Sequence, residues 1–318
     1  MNVIEVETLP PRSSEPLVLA IGKFDGVHIG HQAILSHARD RLQPGWEFGV
    51  MCFWPHPMWV LAHKAGYDRW LTPFPEKVRL LTAFGVQRMY HVHFSQAYAS
   101  TTAEQFVHEH LANLSLRHVV VGFDFRFGKG GKADVEDLRR MCADIGVPVT
   151  VVHPVEENGQ KVSSSQIREH LGEGRVEAAE ALLGRPYSFV GTVIPGDKLG
   201  RKIGFPTANL GDLDEYVLPG GGVYAVAVEI LNQPEGAPRG NWFGVMNAGF
   251  RPTVGGTTFR VEVHLLGFDG DLYGKRLRVS LLRRVRSEKK FQNVEELTNQ
   301  IRQDVLYAQS MLGLNKRD

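Results

Sequence analysis

Residues 17–31 read Leu17-Val18-Leu19-Ala20-Ile21-Gly22-Lys23-Phe24-Asp25-Gly26-Val27-His28-Ile29-Gly30-His31. Five consecutive apolar residues closed by a glycine suit a strand buried on both faces, as in a parallel sheet covered by helices. Gly22, Gly26 and Gly30 suit a tight turn and close approach of backbone to a ligand. His28 and His31 are three apart, so at a helix start they project from one side. Two imidazoles beside the N–H groups of a helix start make a cradle for polyphosphate. The alternative is a plain loop carrying two surface histidines. Directly after the first strand of an α/β domain, the cradle is the better reading.

Outward from this stretch, strand-like and amphipathic segments alternate. Helices are expected over 32–42, 76–84, 102–111 (Thr101 or Thr102 as cap), 135–145 and about 165–183, and strands over 48–53, 88–92, 118–121 and 147–153. Such alternation predicts an α/β domain with a parallel sheet covered on both faces. After Gly184-Arg185-Pro186 the pattern changes. Strand-like segments at 187–193, 223–230, 242–247, 258–265 and 276–282 follow one another without long helices, predicting an antiparallel sheet or small barrel. One closing helix starts at Asn293, with Glu296 at the capping-box position and Val294, Leu297, Ile301 and Val305 at helical spacing. Two domains are therefore expected, 1–184 and 185–318.

Composition bounds the function. A chain of 318 residues has room for two domains of roughly 150. Hydrophobic residues at 43% and charged residues at 22% exclude a mostly disordered chain. Lys+Arg (36) and Asp+Glu (35) nearly cancel, which argues against a protein whose task is gripping a nucleic-acid backbone. No run of about 18 apolar residues suggests a membrane span, and no basic-then-apolar leader is visible. Cys52 and Cys142 lack a CxxC partner and read as buried free thiols in a reducing cytoplasm. Neither nucleic acid nor membrane is expected as a partner, and a homo-oligomer stays open.

Five further stretches bear on chemistry. Ser163-Ser164-Ser165-Gln166-Ile167-Arg168 opens a helix. Its hydroxyls and N–H groups suit phosphate, with Arg168 adding charge one turn in, although a simple serine cap has the same look. Gly122-Phe123-Asp124-Phe125-Arg126-Phe127-Gly128-Lys129-Gly130 alternates phenylalanines with polar residues, fit for a core or for an aromatic ligand. Phe53-Trp54-Pro55-His56-Pro57 ends a strand, where open α/β sheets bind ligands. In the second half there is no GxxxxGK[ST]. Yet Gly196, Gly200 and Gly204, with Lys198, Arg201 and Lys202, form a flexible basic segment that can cover phosphates or simply be solvated. Thr207 and Asn209, two apart in an extended segment, face one side and are hard ligands suited to Mg²⁺ with ATP phosphates. In strand 258–265, Phe259, Val261, Val263 and Leu265 form one face and Arg260, Glu262 and His264 the other, which by pattern alone is a solvent face.

The first and second of these constellations together, residues 22–31 and 163–168, resemble the HxGH nucleotidylyltransferases. These transfer a nucleoside monophosphate from a triphosphate and release pyrophosphate without a side-chain nucleophile. With Phe53–Pro57 and Gly122–Gly130 added, residues 17–183 resemble, in order, the FAD synthetase module of bacterial bifunctional riboflavin kinase/FAD synthetases. Phe205-Pro206-Thr207-Ala208-Asn209, Gly222-Val223-Tyr224-Ala225, Asn247-Ala248-Gly249-Phe250-Arg251-Pro252-Thr253, Val261-Glu262-Val263-His264-Leu265-Leu266 and Phe268-Asp269-Gly270-Asp271-Leu272-Tyr273-Gly274 resemble its kinase barrel. The resemblance spans roughly 17–310 and implies a Rossmann-like HxGH nucleotidylyltransferase domain followed by a riboflavin-kinase barrel with a terminal helix. It implies that ATP phosphorylates riboflavin to FMN and adenylylates FMN to FAD. For adenylyl transfer it implies catalytic roles for His28, His31 and Arg168, and nucleotide contacts at Gly22, Phe24, Asp25, Gly26, Gly30, Asp124, Ser163 and Ser164. Flavin contacts fall on Phe53, Pro55, Pro57, Phe125, Phe127 and Arg251. For the kinase it implies Glu262 as the base, Thr207 and Asn209 at the metal, nucleotide contacts at Gly196, Lys198, Gly200, Arg201 and Gly204, and a structural His264. Ser165 replaces a common threonine, and Gly220-Gly221-Gly222 is unusually glycine-rich.

Overall fold

The expected first strand, Leu17–Ile21, is preceded by another, Asn2–Val6; in chain order these are β2 and β1. The computed structural model describes residues 1–196, 199–232, 240–253 and 256–314, leaving aside the side chains at 199, 202, 251–253, 256 and 257. Lys198 lies outside the described residues, and Arg251 is described in its backbone only. The chain folds as two compact units, Met1–Ser164 and Ser165–Asp318.

In the first unit β2 is followed by α1 (Ile29–Arg39), β3 (Glu47–Trp54), α2 (Pro57–Ala62), α3 (Phe74–Ala83) and β4 (Arg88–His93). Then come α4 (Ala103–Gln105), which continues as a π-helical turn over Phe106–Leu111, β5 (Leu116–Gly122), α5 (Val135–Asp144), β6 (Val149–Val152) and the small hairpin β7 (Glu156–Glu157) and β8 (Gln160–Lys161). The sheet order is β1-β4-β3-β2-β5-β6, and every pairing is parallel. All five residues of β2 are buried, and alternation divides them between two cores. Leu17, Leu19 and Ile21 join Met51, Val119 and Val121 on one face, and Val18 and Ala20 join Val50, Cys52 and Val120 on the other. Each such aliphatic side chain contributes about 1.5–3 kcal/mol by leaving water. The sheet grows to one side of β2 through β3 and β4 and to the other through β5 and β6, so the loops after β2 and β5 open onto the crevice at the strands' carboxyl ends. Cys52 and Cys142 are buried free thiols, as expected, with burial raising their pKa values to about 11 and about 12.

The second unit holds α6 (Ser164–Gly172), whose first residue marks the division, α7 (Val176–Leu183), β9 (Ser188–Ile194), α8 (Leu199–Lys202), β10 (Ala208–Gly211), β11 (Gly222–Ile230), β12 (Asn241–Thr253), β13 (Gly256–Leu265), β14 (Arg276–Arg286) and α9 (Val294–Met311). Its strands close a six-stranded antiparallel barrel in the order β10-β13-β12-β11-β14-β9. Ala208, Leu210, Met246, Ala248, Val261, Val263 and Leu265 are buried.

The single helix expected over 165–183 is two helices. Gly174, at φ +73°, breaks it, and a Cβ there would stand 2.7 Å from the Tyr224 hydroxyl and 2.9 Å from the Arg284 guanidinium carbon. Arg284 donates to the carbonyls of Glu173 at 3.0 Å and Gly221 at 3.2 Å, and its N–H donates to the Glu177 carboxylate at 3.0 Å. The Gly220–Gly222 run has the same cause. A Cβ at Gly220 would overlap the Gly172 carbonyl, one at Gly221 would lie 2.7 Å from the Glu288 carboxylate, and one at Gly222 2.8 Å from the Arg286 carbonyl. Because α6 and α7 are stitched to the barrel in this way, the units divide by contact at Ser164/Ser165, ahead of the 184/185 boundary read from the change in strand pattern.

At the other end, Asn293 caps α9 by accepting from the Glu296 N–H at 2.8 Å. The Glu296 carboxylate reaches back one residue further than a capping box, to the Gln292 N–H at 3.0 Å. Ala308 packs against Val223, Ala225 and Val245, and buried Asp304 takes a forked pair of hydrogen bonds from Arg286 at 2.8–3.0 Å. Removing one partner of such a pair strands the other charge. Asp304→Ala is expected to lower the unfolding free energy of the second unit by about 3 kcal/mol in urea titrations. A change below about 0.5 kcal/mol would show that α9 docks by apolar contact alone.

Candidate active sites

In the first unit the loop between β2 and α1 is a run of unusual backbone: φ is +48° at Phe24, +87° at Gly26 and +42° at Val27. For a β-branched residue such as Val27 this conformation is strained and must be enforced from outside. The enforcement is visible. The Asp25 carboxylate, 1% exposed, accepts from the N–H groups of Leu71 at 3.0 Å and Thr72 at 3.2 Å, and the Gly26 N–H donates to the Thr72 hydroxyl at 2.9 Å. Alternate carbonyls of the loop are each captured by a side chain from elsewhere. Lys77 Nζ holds that of Lys23 at 3.1 Å, the Ser164 hydroxyl that of Asp25 at 2.8 Å, and the Gln32 amide that of Val27 at 2.9 Å. The two sequence motifs, residues 22–31 and the serine run, are thus joined by the Ser164–Asp25 bond.

His28 is the N-cap of α1. Its Nδ1 accepts from the His31 N–H at 3.3 Å, and its ring stacks on that of His31 with centroids 3.7 Å apart. An accepting Nδ1 places the proton of a neutral ring on Nε2, so His28 is set as a donor. A Cβ at Gly30 would come within 3.2 Å of the His28 ring, so the glycine lets the ring lie close against the backbone. His56 repeats the arrangement at the start of α2, accepting from the Met58 N–H at 3.1 Å. It packs against Tyr67 and Trp70, while Pro55 and the helix-opening Pro57 are half-buried.

At the end of β5, Asp124 pairs with Lys161 from the β7–β8 hairpin, and Lys161 also lies 4.5 Å over the exposed Phe123 ring. Of the alternating phenylalanines, Phe127 is a core residue: it is buried and packs on Phe106, with ring centroids 5.5 Å apart. Half-buried Phe125 stacks on Phe127. Phe53 faces Phe94 and Tyr98, and the Tyr98 hydroxyl meets His110 Nδ1 at 3.0 Å. Burial lifts the Tyr98 pKa and lowers that of His110.

In the second unit the register places Asn209 opposite Glu262, and Glu262 opposite Asn247, on three neighbouring strands. Directly opposed residues share a face, so these three polar side chains form a row on the barrel's outer side, since Ala208, Val261, Val263, Met246 and Ala248 are buried. Asn247 was not singled out as a site residue in the sequence, since strand register is a non-local property. The glycine segment before β10 closes over two of the expected ligands. A Cβ at Gly196 would overlap the Asn209 amide, and one at Gly200 would lie 3.2 Å from the Thr207 hydroxyl. His264 donates from Nδ1 to the Pro206 carbonyl at 2.8 Å and so ties β13 to the segment carrying Thr207, the structural part expected of it. A pocket at this end is lined by Arg201 and Thr207 and, beside them, by Val263, Leu265, Phe268 and Tyr273. Among the described residues no cluster of three or more His, Cys, Asp or Glu side chains could hold a metal. An ion at Thr207 and Asn209 would complete its oxygen shell from substrate phosphates and water, the habit of Mg²⁺.

Two family models match, FAD synthetase over residues 11–166 and riboflavin kinase over residues 183–312. A bifunctional riboflavin kinase/FMN adenylyltransferase of Bacillus subtilis is 38% identical, covering 90% of each chain. One of Escherichia coli is 39% identical, covering 98% of this chain and 97% of the relative. A solved structure named as a macrolide-efflux protein of Streptococcus pneumoniae superposes with a TM-score of 0.87 at 32% identity, covering 97% of this chain and 99% of that one. Among the described residues no helix is long and apolar enough to cross a membrane.

The buried Tyr98–His110 contact makes the first unit sensitive to acid. Burial depresses the His110 pKa below its ordinary 6.5, so as pH falls through 6.5 the unfolded chain takes up the proton first. The stability is present in full above about 6.5 and is lost as pH falls below it. His91 and His118 shift the same way by burial. The unfolding midpoint should therefore drop between pH 7.5 and 5.5, and His110→Gln, which keeps a hydrogen-bonding group but cannot titrate, should drop less. Equal drops in both proteins would show that His110 is not a source of the acid sensitivity.

Proposed function

We propose, for a chain that belongs to the family of bifunctional riboflavin kinase/FMN adenylyltransferases, that its two reactions run at two separate sites, adenylyl transfer in the parallel-sheet unit and phosphorylation on the barrel. The chain phosphorylates riboflavin to FMN with ATP and adenylylates FMN to FAD with release of pyrophosphate.

In adenylyl transfer an oxygen of the FMN phosphate attacks the α-phosphorus of ATP, and the bond from that phosphorus to the bridging oxygen breaks. The task is to hold the polyphosphate in line and to stabilise charge on the leaving pyrophosphate. The observation that carries this reading is the strained loop at 22–28, whose alternate carbonyls are drawn into the protein beside a histidine fixed as a donor. His28 Nε2–H and the start of α1 meet the phosphates, with His31 beside them. Arg168, one turn along the helix that Ser164 opens, is the cation of the serine motif. Asp25 shapes the loop through Leu71 and Thr72. The flavin ring lies against Phe125 and the Pro55–Pro57 turn, backed from the core by Phe53 and Phe127, while Asp124 and the serine hydroxyls border the nucleotide.

On the barrel the primary hydroxyl of riboflavin attacks the γ-phosphorus of ATP, Glu262 accepts its proton, and ADP leaves. Thr207 and Asn209 would hold Mg²⁺, which when bound neutralises phosphate charge. Gly196, Gly200, Gly204 and Arg201 cover the phosphates, and the apolar wall at Val263, Leu265 and Phe268 suits the adenine ring. Two buried thiols suit work in a reducing cytoplasm.

Separate sites have a separable signature. Replacing His28 by Ala should lower FAD formation from FMN at least ~100-fold and leave riboflavin phosphorylation unchanged, and Glu262→Gln should do the reverse. Both are read by chromatography of the flavins. Loss of both activities in either folded variant would refute two independent sites.

A further inference from the structure

Lys77 lies on α3, outside every motif named above, and is only 2% exposed. A buried ammonium is costly unless it is paired. Among the described residues no carboxylate comes within ion-pair distance of it. Its contacts are the Lys23 carbonyl at 3.1 Å and the face of Trp70, 4.7 Å from the ring centroid. A carbonyl dipole and an aromatic face hold a cation in place but leave its charge unbalanced. A net positive charge therefore sits directly beneath the strained loop.

The geometry of the peptide unit gives that contact a consequence on the other side. In a trans peptide the carbonyl of one residue and the N–H of the next point in opposite directions. Drawing the Lys23 carbonyl towards Lys77 turns the Phe24 N–H the other way. That N–H has no hydrogen-bond partner among the described residues. A buried backbone N–H without a partner is rare, and an anion is the partner that such a group in a loop can take.

We propose that Lys77 is a positioning residue for adenylyl transfer: by holding the Lys23 carbonyl it aims the Phe24 N–H at the ATP polyphosphate, whose negative charge balances its own. The inference rests on the reading of residues 22–31 as the polyphosphate site. It differs from a role in packing, because a merely structural lysine would leave the affinity for polyphosphate unchanged once the protein had folded.

The test uses the full chain and pyrophosphate as the probe, with binding followed by calorimetry and FAD formation by flavin chromatography. Lys77→Met, close in volume but uncharged, should weaken pyrophosphate binding about tenfold and raise the KM for ATP in FAD formation by a similar factor. The KM for FMN and the rate of riboflavin phosphorylation should be unchanged. Lys77→Arg, which keeps the charge, should recover most of the pyrophosphate affinity. Wild-type affinity for pyrophosphate in Lys77→Met would overturn the proposal. If Lys77→Met does not fold, the Lys77 ammonium resonance of lysine-labelled wild type, assigned by its absence from Lys77→Arg, decides. A shift on saturation with pyrophosphate supports the proposal, and an unchanged resonance overturns it. His28→Ala separates the two levels. If it binds pyrophosphate like wild type, the reading of the loop fails and the proposal with it. If it loses binding while Lys77→Met keeps it, the proposal alone fails.

Discussion

The carbonyl oxygens of Lys23, Asp25 and Val27 are each held by a side chain from another part of the first unit, and the shape of the loop after β2 depends on these contacts. A polyphosphate cannot approach a surface lined with carbonyl oxygens, so a loop that is to receive one must turn them inward. Left-handed backbone at Phe24 and Val27 is what that turning costs, of order 1–3 kcal/mol per residue. Hydrogen bonds from a hydroxyl, an amide and an ammonium offset it, each contributing about 0.5–3 kcal/mol. Asp25 completes the frame from the other side by accepting two backbone N–H groups at Leu71 and Thr72. These partners are far apart in sequence, from Gln32 to Ser164, and the parallel sheet brings them together by growing in both directions from β2.

The barrel solves a similar problem with strand register in place of strain. Asn209, Glu262 and Asn247 are separated in the chain but lie in one row because β10, β13 and β12 are neighbours. A slip of one residue in β13 would turn Glu262 into the barrel and put Val261 or Val263 in its place. Those two valines, buried at 1% and 0% exposure, guard the register, so the apolar interior fixes where the carboxylate stands.

How much of this was legible in the sequence depended on whether the cause was local. The strand Leu17–Ile21, the glycine–histidine loop and the alternation of 258–265 were all readable, because each is written in adjacent residues. The edge strand Asn2–Val6 was missed: with only Val6 buried, it carries no strong pattern. The break at Gly174 was missed although its signal was present, a glycine inside a helical pattern; the reason it must be glycine is the approach of Tyr224 and Arg284 from the barrel. The Gly220–Gly222 run stood out only as glycine-rich, and it is a place where the end of α6 and the segment at Arg286–Glu288 come too close for a side chain. Phe125 and Phe127 looked equivalent by alternation, yet Phe127 packs in the core on Phe106, a division only the fold can make. Asp25 sits within the motif, but that one oxygen of its carboxylate accepts from the Leu71 and Thr72 N–H groups is something only the fold can show. Lys77 carried no local signal, and Asn247 stood in a family-like stretch without being marked as a site residue, since their importance lies in a carbonyl and a register partner far along the chain.

The central claim is that residues 22–31 form a preset seat for polyphosphate. A crystal structure of the full chain with a non-hydrolysable ATP analogue tests it most directly. The account predicts phosphate oxygens within hydrogen-bond distance of His28 Nε2 and the Phe24 N–H, with the carbonyls of Lys23, Asp25 and Val27 still held by Lys77, Ser164 and Gln32. An analogue bound in the first unit with its phosphates away from this loop, or a loop whose carbonyls have flipped outward, would contradict it.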